Sequence, residues 1–286
     1  DLPFLKMHGL GNDFIVLDSR DNQVMPDEQQ MRHLADRHTG VGCDQIMVMR
    51  SSNQADTIRL DIFNADGSPA GACGNGTRCV ARLIMDQEAR DEIGIETVAG
   101  HLKSWRADAR SNIISTDMGS VLLDWQDIPT NWAVDTLAVD LGFHELGAAT
   151  LVSVGNPHAV FFVENVEAVN LHHWGPLAEQ HALFSARANI EFIQIIDRET
   201  IRMRVWERGA GVTLACGSGA CAAAVSSARR GLTDNEVTLH LDGGALQILW
   251  RRETDGHVVM TGPATYVAEG VISASFFHVT ATAGGV

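Results

Sequence analysis

The feature that most constrains the fold of this chain is a set of short motifs that occurs twice. Five motifs recur in the same order at an offset of 143 or 144 residues. The pairs are Gly11-Asn12-Asp13 with Gly155-Asn156-Pro157, Gln45-Ile46-Met47 with Asn189-Ile190-Glu191, Ile58-Arg59-Leu60 with Ile201-Arg202-Met203, Ala72-Cys73-Gly74-Asn75-Gly76 with Ala215-Cys216-Gly217-Ser218-Gly219, and Gly100 with Gly244. One pair alone is weak evidence, but five in register are typical of a duplicated structural unit.

The duplication predicts two similar domains. The 286 residues exceed what one ordinary hydrophobic core organises, and 45% of them are hydrophobic, as in a globular protein. We expect the first domain over residues 1–118 and the second over 119–262, with residues 263–286 returning to the first domain. The boundary is placed at Gly262-Pro263 because this dipeptide interrupts regular structure.

Each half alternates between β-like runs and one strong helix. Strands are predicted at matched positions, over residues 14–17, 46–49 and 58–63 and over 159–163, 192–196 and 201–206. Helices are predicted over residues 77–88 and 220–230, with Gly231 as a left-handed residue after the second. The expected fold class is α+β, with two pseudo-symmetric domains, each a strand-rich sheet wrapped around a central helix.

Both predicted helices follow a Cys-Gly-x-Gly turn, which places Cys73 and Cys216 where a helix begins. Free backbone N–H groups and the helix dipole favour an anion there, so we expect the thiol pKa to be lowered. A single cysteine in such a turn is more often a small buried residue, and we interpret Cys43, Cys79 and Cys221 in that way. The repetition favours a functional role for Cys73 and Cys216.

Two thiols at equivalent turns suit one reaction class. A duplicated fold is expected to bring its equivalent turns face to face in the cleft between its domains, where ligand sites are common. Inversion of an sp³ carbon requires one group to remove a proton from one face and another to supply a proton to the opposite face. Neither turn contains a lysine that would form a Schiff base. The sequence therefore predicts an amino-acid epimerase that uses Cys73 and Cys216 and needs no cofactor and no metal ion.

The two halves differ where a substrate would be recognised. The strand that ends in Phe63-Asn64-Ala65 in the first half ends in Trp206-Glu207-Arg208 in the second. Glu207 suits the ammonium group of an amino acid and Arg208 its carboxylate, although such a pair is also found as a surface ion pair. Neutral amides at matched positions add donors and acceptors, although each alone is more often a turn residue. They are Asn12, Asn156, Asn64, Gln45 and Asn189.

The composition argues against several other classes of protein. Lys and Arg number 21 against 36 Asp and Glu, a formal net charge of −15, which disfavours a nucleic-acid-binding surface. No stretch approaches the roughly 20 apolar residues of a membrane-spanning helix, and no basic-then-apolar leader indicates export. Five cysteines are an odd number for a disulfide framework. We expect a cytoplasmic protein with free thiols and a small-molecule substrate.

In these motifs the chain resembles the diaminopimelate epimerases of bacterial lysine and peptidoglycan precursor biosynthesis. The resemblance extends from about residue 4 to about residue 270, and its motifs together are highly specific. They are Lys6-Met7-His8-Gly9-Leu10-Gly11-Asn12-Asp13-Phe14, Ala35-Asp36-Arg37-His38, Phe63-Asn64-Ala65-Asp66-Gly67, Cys73-Gly74-Asn75-Gly76, Gly155-Asn156-Pro157-His158, Ala188-Asn189-Ile190, Glu207-Arg208-Gly209-Ala210-Gly211 and Ala215-Cys216-Gly217-Ser218-Gly219-Ala220-Cys221.

The resemblance implies a pyridoxal-independent interconversion of LL- and meso-diaminopimelate, with Cys73 and Cys216 as the acid/base pair. It also implies a homodimer whose domains close on the substrate. Carried over by position, the implied substrate contacts are Asn12, Gln45, Asn64, Gly74, Asn75, Asn156, Asn189, Glu207, Arg208, Gly217 and Ser218.

Three features depart from the family pattern. Val212 stands where the family usually has a glutamate before Thr213, which is expected to alter the field at Cys216. Cys43 adds a thiol close to Gln45. The tail over residues 271–286, with Gly284-Gly285 near its end, is longer than is typical, and we expect part of it to be disordered.

Two alternatives to this function remain open on sequence grounds. A related racemase acting on proline or hydroxyproline would share the architecture, but its substrate has one amino-acid group and does not need Glu207 and Arg208. A thiol-redox or metal-binding module would use the pairs Cys73/Cys79 and Cys216/Cys221, whose spacing differs from the usual two-residue interval.

Overall fold

The computed structural model describes residues 1–21, 25–71, 73–108 and 112–281, so Ala72 and the predicted tail beyond residue 281 lie outside the described residues. The strands are β1 (Leu2–Gly9), β2 (Asn12–Asp18), β3 (Gln45–Ser51), β4 (Thr57–Asn64), β5 (Pro69–Ala70), β6 (Glu92–Thr97), β7 (Gly100–Arg106), β8 (Ile113–Ser120), β9 (Thr150–Ser153), β10 (Pro157–Phe162), β11 (Asn189–Ile195), β12 (Thr200–Glu207), β13 (Gly211–Thr213), β14 (Glu236–Leu241), β15 (Gly244–Trp250), β16 (His257–Pro263) and β17 (Thr265–Ile272). The α-helices are α1 (Glu28–Ala35), α2 (Gly74–Gln87), α3 (Leu171–Glu179) and α4 (Gly217–Arg229), and 3-10 segments lie at Val166–Ala168 and Ala274–Ala281.

The chain packs as two compact units. One comprises Asp1–Ile114 with Pro263–Val286, and the other comprises Ser115–Gly262.

The sheet of each unit repeats one pattern of strand pairing. In the first unit the order is β17–β1–β2–β3–β4–β6–β7, with β2/β3 and β4/β6 parallel and the other neighbours antiparallel. In the second unit the order is β9–β10–β11–β12–β14–β15–β16, with β10/β11 and β12/β14 parallel. The register is repeated too, since Phe14 lies opposite Gln45 and His158 lies opposite Asn189. The sequence duplication is therefore a duplication of topology.

One buried helix lies inside each sheet. α2 contacts β1, β2, β3, β6 and β7, and α4 contacts β9, β10, β11, β12, β14 and β15. α4 is a run of small residues in which Ala220 to Ala224 are buried, so the strands approach its backbone closely. The predicted class, α+β with each strand-rich half wrapped around a central helix, is confirmed.

The predicted helix starts were three residues late, and two helices were missed. Both central helices begin at the glycine after the cysteine, Gly74 and Gly217, because the cysteine itself caps the first turn. α1 has only eight residues, and α3 contains Gly175 and Pro176, which weaken its sequence signal. Among the described residues, no helix has the length and apolar character needed to cross a membrane.

Candidate active site

The first unit holds Cys73 at the N-terminus of α2. Its Sγ accepts a hydrogen bond from the backbone N–H of Gly76, with a nitrogen–sulfur distance of 3.4 Å. The thiol faces the Oδ1 of Asn12 at 3.7 Å, and the Nδ2 of Asn75 donates to the same oxygen at 3.4 Å. Cys73 is partly exposed. The thiol therefore lies among neutral amide groups at a helix start.

A network of charged side chains orients Asn12. Asp44 accepts a hydrogen bond from the Nδ2 of Asn12 at 2.9 Å, which turns the amide oxygen toward the thiol. Arg37 bridges Asp44 and Asp13 at 2.6 and 2.7 Å, and Lys6 contacts Asp13 at 2.6 Å. Burial opposes ionisation of Asp13, but the hydrogen bonds and charges of Arg37 and Lys6 outweigh it and hold the pKa of Asp13 well below its usual range.

Gln45 and Asn64 lie directly opposite each other on β3 and β4. The Nε2 of Gln45 donates to the Oδ1 of Asn64 at 3.1 Å, and the Nδ2 of Asn64 donates to Ser68 at 3.1 Å. Each amide therefore fixes the orientation of the next. Gly74, the first residue of α2, contributes only its backbone.

The second unit repeats the arrangement around Cys216, the N-cap of α4. Its Sγ accepts a hydrogen bond from the backbone N–H of Gly219 at 3.4 Å and lies 3.6 Å from the Oγ of Ser218. The Nδ2 of Asn156 donates to Ser218 at 3.4 Å. Gly217 is again the first helical residue. Unlike Cys73, Cys216 is buried, with 5% of its surface exposed.

A buried pair next to this second thiol was missed by the sequence analysis. His158 Nδ1 lies 2.7 Å from Glu191 Oε1, both side chains are fully buried, and His158 Nε2 lies 2.9 Å from Asn156 Oδ1. At the equivalent positions of the first unit stand Phe14 and Met47, both fully buried. The signal was therefore present in the sequence, as ionisable residues in one repeat where the other has apolar residues.

The expected lowering of the cysteine pKa does not hold at Cys216. Burial raises the pKa of this thiol well above its ordinary value, and the charges of Glu207 and Glu191 add to the effect. The hydrogen bonds from Ser218 and Gly219 act in the opposite direction but do not outweigh burial. Burial likewise raises the pKa of Glu207, although hydrogen bonds from Thr213 and Cys216 oppose it. Cys216 is therefore a neutral thiol near pH 7.

Glu207 and Arg208 do not pair with each other among the described residues. Glu207 accepts a hydrogen bond from Thr213 and lies beside Cys216, whereas Arg208 is exposed and donates to the backbone oxygen of Ala186 at 3.0 Å. The Oδ1 of Asn189 accepts from the backbone N–H of Arg208 at 2.9 Å. Glu207 therefore belongs to the surroundings of the thiol.

The remaining three cysteines lie outside the two turns that cap the central helices. Cys43, Cys79 and Cys221 are buried, no disulfide joins any cysteines among the described residues, and burial raises the pKa of both Cys43 and Cys79 to about 12. Val212, which replaces the family glutamate, lies on β13 with 36% of its surface exposed. In the part of the chain that the structure describes, no three His, Cys, Asp or Glu side chains are grouped to hold a metal ion.

Solved structures of other proteins share this fold. A predicted epimerase from Pseudomonas aeruginosa superposes with a TM-score of 0.67 at 18% identity, over 95% of this chain and 99% of that one. A probable proline racemase from Agrobacterium radiobacter superposes with a TM-score of 0.68 at 14% identity, over 96% and 93%. At these identities the likeness establishes the fold alone, which is the duplicated fold found in epimerases and proline racemases.

The chain belongs to the diaminopimelate epimerase family. The family model for diaminopimelate epimerase matches residues 4–123 and 150–267. A diaminopimelate epimerase from Rhodospirillum centenum is 51% identical over 94% of this chain and 92% of its own length. Another from Phenylobacterium zucineum is 47% identical over 94% and 96%.

Proposed function

We propose that this protein is an isomerase that interconverts LL- and meso-diaminopimelate, with Cys73 and Cys216 as the acid/base pair. The observation that carries the proposal is the repeated placement of a thiol. In each unit the sulfur caps the central helix and lies 3.4 Å from the backbone nitrogen three residues later. Family membership supplies the substrate.

In the proposed reaction the two thiols work on opposite faces of one α-carbon. A thiolate removes the α-proton and becomes a thiol, while the other thiol delivers its proton and becomes a thiolate. The reverse direction exchanges these roles. Cys216 is a neutral thiol when no substrate is bound. We infer that the ammonium group of a bound substrate offsets the charges of Glu207 and Glu191, so that Cys216 is able to ionise.

The charge that develops on the substrate needs stabilisation. The N-terminal turns of α2 and α4, at Gly74 and Asn75 and at Gly217 and Ser218, carry backbone N–H groups and the positive end of the helix dipole, which suit a substrate carboxylate. Delocalisation of the carbanion into that carboxylate is then stabilised by preorganised donors.

The amide side chains and the charged strand end are proposed to select the substrate. Asn12, Gln45 and Asn64 act in the first unit, and Asn156 and Asn189 act in the second. Glu207 and Arg208 bind an ammonium and a carboxylate group respectively, which suits a substrate with two amino-acid groups.

We further propose a homodimer in the cytoplasm, on the basis of the family resemblance. Sedimentation velocity of the purified protein tests the dimer. A single boundary at the mass of one chain, 30.9 kDa, contradicts it.

Proton NMR of LL-diaminopimelate in D₂O, with reduced protein and no added cofactor, tests the function. We expect the α-proton signal to disappear as meso product forms, and Cys73→Ala and Cys216→Ala each to abolish epimerisation. Cys79→Ala is the matched control, because Cys79 is buried in α2, the helix that Cys73 caps, but lies outside the proposed site. A wild-type protein that inverts proline but not diaminopimelate would show that the substrate assignment is wrong.

A further inference from the structure

Glu179, the last residue of α3, places a buried carboxylate against the strand end that carries Glu207 and Arg208. Its side chain is 5% exposed. Oε2 accepts a hydrogen bond from the indole Nε1 of Trp206 at 2.7 Å, and Oε1 accepts from the backbone N–H of Gly209 at 3.1 Å. One carboxylate therefore binds the residue before Glu207 and the residue after Arg208.

Packing of α3 fixes the same segment. A Cβ on Gly175 would lie 2.4 Å from the ring of Trp206, so the indole rests directly on the helix backbone. The backbone N–H of Arg208 is held by Asn189 at 2.9 Å. Arg187, 59% exposed, approaches Glu179 at 3.5 Å and contributes a weaker contact. Residues 206 to 209 are thus restrained by a side chain at one end and by backbone bonds at the other.

The first unit shows that the fold does not require a charge at this place. By the offsets of the repeat, Ala35 corresponds to Glu179 and Phe63 corresponds to Trp206. Ala35 is a buried member of a hydrophobic cluster, and Phe63 packs against that cluster. Burying a carboxylate is unfavourable unless its hydrogen bonds compensate. Helix packing alone therefore does not explain why the second unit has a carboxylate where the first unit has Ala35. The carboxylate binds the end of β12, and this strand end differs in sequence from the equivalent end of β4.

We propose that Glu179 is a positioning residue that sets the affinity for diaminopimelate by holding Glu207 and Arg208 in place. The inference rests on the proposed function, in which these two residues bind the charged groups of the substrate. Loss of the two hydrogen bonds from Trp206 and Gly209 to Glu179 lets the end of β12 shift, which weakens substrate binding. Glu207 also contacts Cys216, but Cys73 and Cys216 keep their own backbone hydrogen bonds at the starts of α2 and α4, so we expect proton transfer to be affected less than substrate binding.

The test is the steady-state kinetics of Glu179→Gln with LL-diaminopimelate. Glutamine keeps the volume but turns an NH₂ group toward one of the two N–H donors. We expect KM to rise about tenfold or more while kcat falls much less. Glu145→Gln, which neutralises an exposed carboxylate of the same unit, should keep the wild-type KM. An unchanged KM in Glu179→Gln overturns the proposal.

A double variant separates positioning from stability. Glu179→Ala with Trp206→Phe reproduces the apolar pair of the first unit and removes the buried charge together with the indole donor. We expect its thermal midpoint to recover relative to Glu179→Ala while KM stays raised. Recovery of the wild-type KM together with stability would mean that Glu179 is only structural. If the wild-type protein itself does not epimerise diaminopimelate, that result contradicts the proposed function, whereas a wild-type KM in an active Glu179→Gln variant contradicts the positioning role of Glu179.

Discussion

The buried structural thiols predict a loss of stability at alkaline pH. Burial raises the pKa of Cys43 and Cys79 to about 12 from an ordinary value of 9.0. Because the pKa of each thiol is higher in the folded state than in the unfolded state, the contribution of these neutral thiols to the free energy of unfolding is fully present below pH 9. That contribution is lost as the pH rises toward 12. The unfolded chain ionises these thiols in that window and the folded protein does not.

The size of the effect follows from the separation of the two pKa values. At pH 10 ionisation stabilises the unfolded state by about 1.4 kcal/mol for each thiol, whereas at pH 8 the corresponding figure is about 0.1 kcal/mol. Each buried thiol therefore removes about 1.3 kcal/mol from the free energy of unfolding between these pH values. Both side chains are almost fully buried, at 2% and 0% exposure, so solvent screening does not reduce the figure.

Urea unfolding of wild type, Cys43→Ala and Cys79→Ala at pH 8 and pH 10 measures this effect. Each alanine variant loses stability at pH 8 from its smaller side chain, but that loss is the same at both pH values. We expect each variant to show a pH dependence smaller than that of wild type by about 1.3 kcal/mol. Equal pH dependence in all three proteins would refute the reasoning.

Two further perturbations address the surroundings of the thiols. Asp13→Asn should lower the free energy of unfolding by roughly 2–3 kcal/mol at pH 7, because two cations lose a partly buried partner. Since the pKa of Asp13 is lowered in the folded state, this difference should shrink as urea unfolding is repeated from pH 4 downward, and a constant difference contradicts the assignment. Gly219→Ala should lower kcat about a hundredfold, because its methyl group would lie 3.2 Å from the sulfur of Cys216 and 2.6 Å from Glu191. Gly71→Ala, whose methyl group meets nothing within 4 Å, should not, and equal kcat values in the two variants would contradict the steric argument.

The repeat and the periodicity were sufficient to predict the fold class and its central elements. The β-strands over the matched motifs and the two central helices are confirmed, because alternating apolar residues and runs rich in Ala, Arg, Leu and Met give strong local signals. α3 was missed since Gly175 and Pro176 lower helix propensity, and its stability comes instead from contact with Trp206. Tertiary packing of this kind has no local signature.

Electrostatics at the candidate site were harder to predict than positions. The cysteine turns were recognised from sequence, and the structure places each sulfur as the cap of its helix. The protonation of Cys216 was not predicted from sequence. An argument from the helix N-terminus alone omits the desolvation of the sulfur and the charge of Glu191, which lies on the neighbouring strand β11. Comparing the repeats position by position, Phe14 with His158 and Met47 with Glu191, would have revealed the charged surroundings of one thiol.

The central claim is that two separate thiols act on one carbon, and isotope content at low conversion tests it most directly. LL-diaminopimelate is incubated with wild-type protein in D₂O, substrate and product are separated, and the deuterium content of each is measured by mass spectrometry. Two bases predict meso product carrying one solvent deuterium while the recovered LL substrate keeps its proton. Product that retains the substrate proton would contradict the account, because a single group would then have removed and returned it.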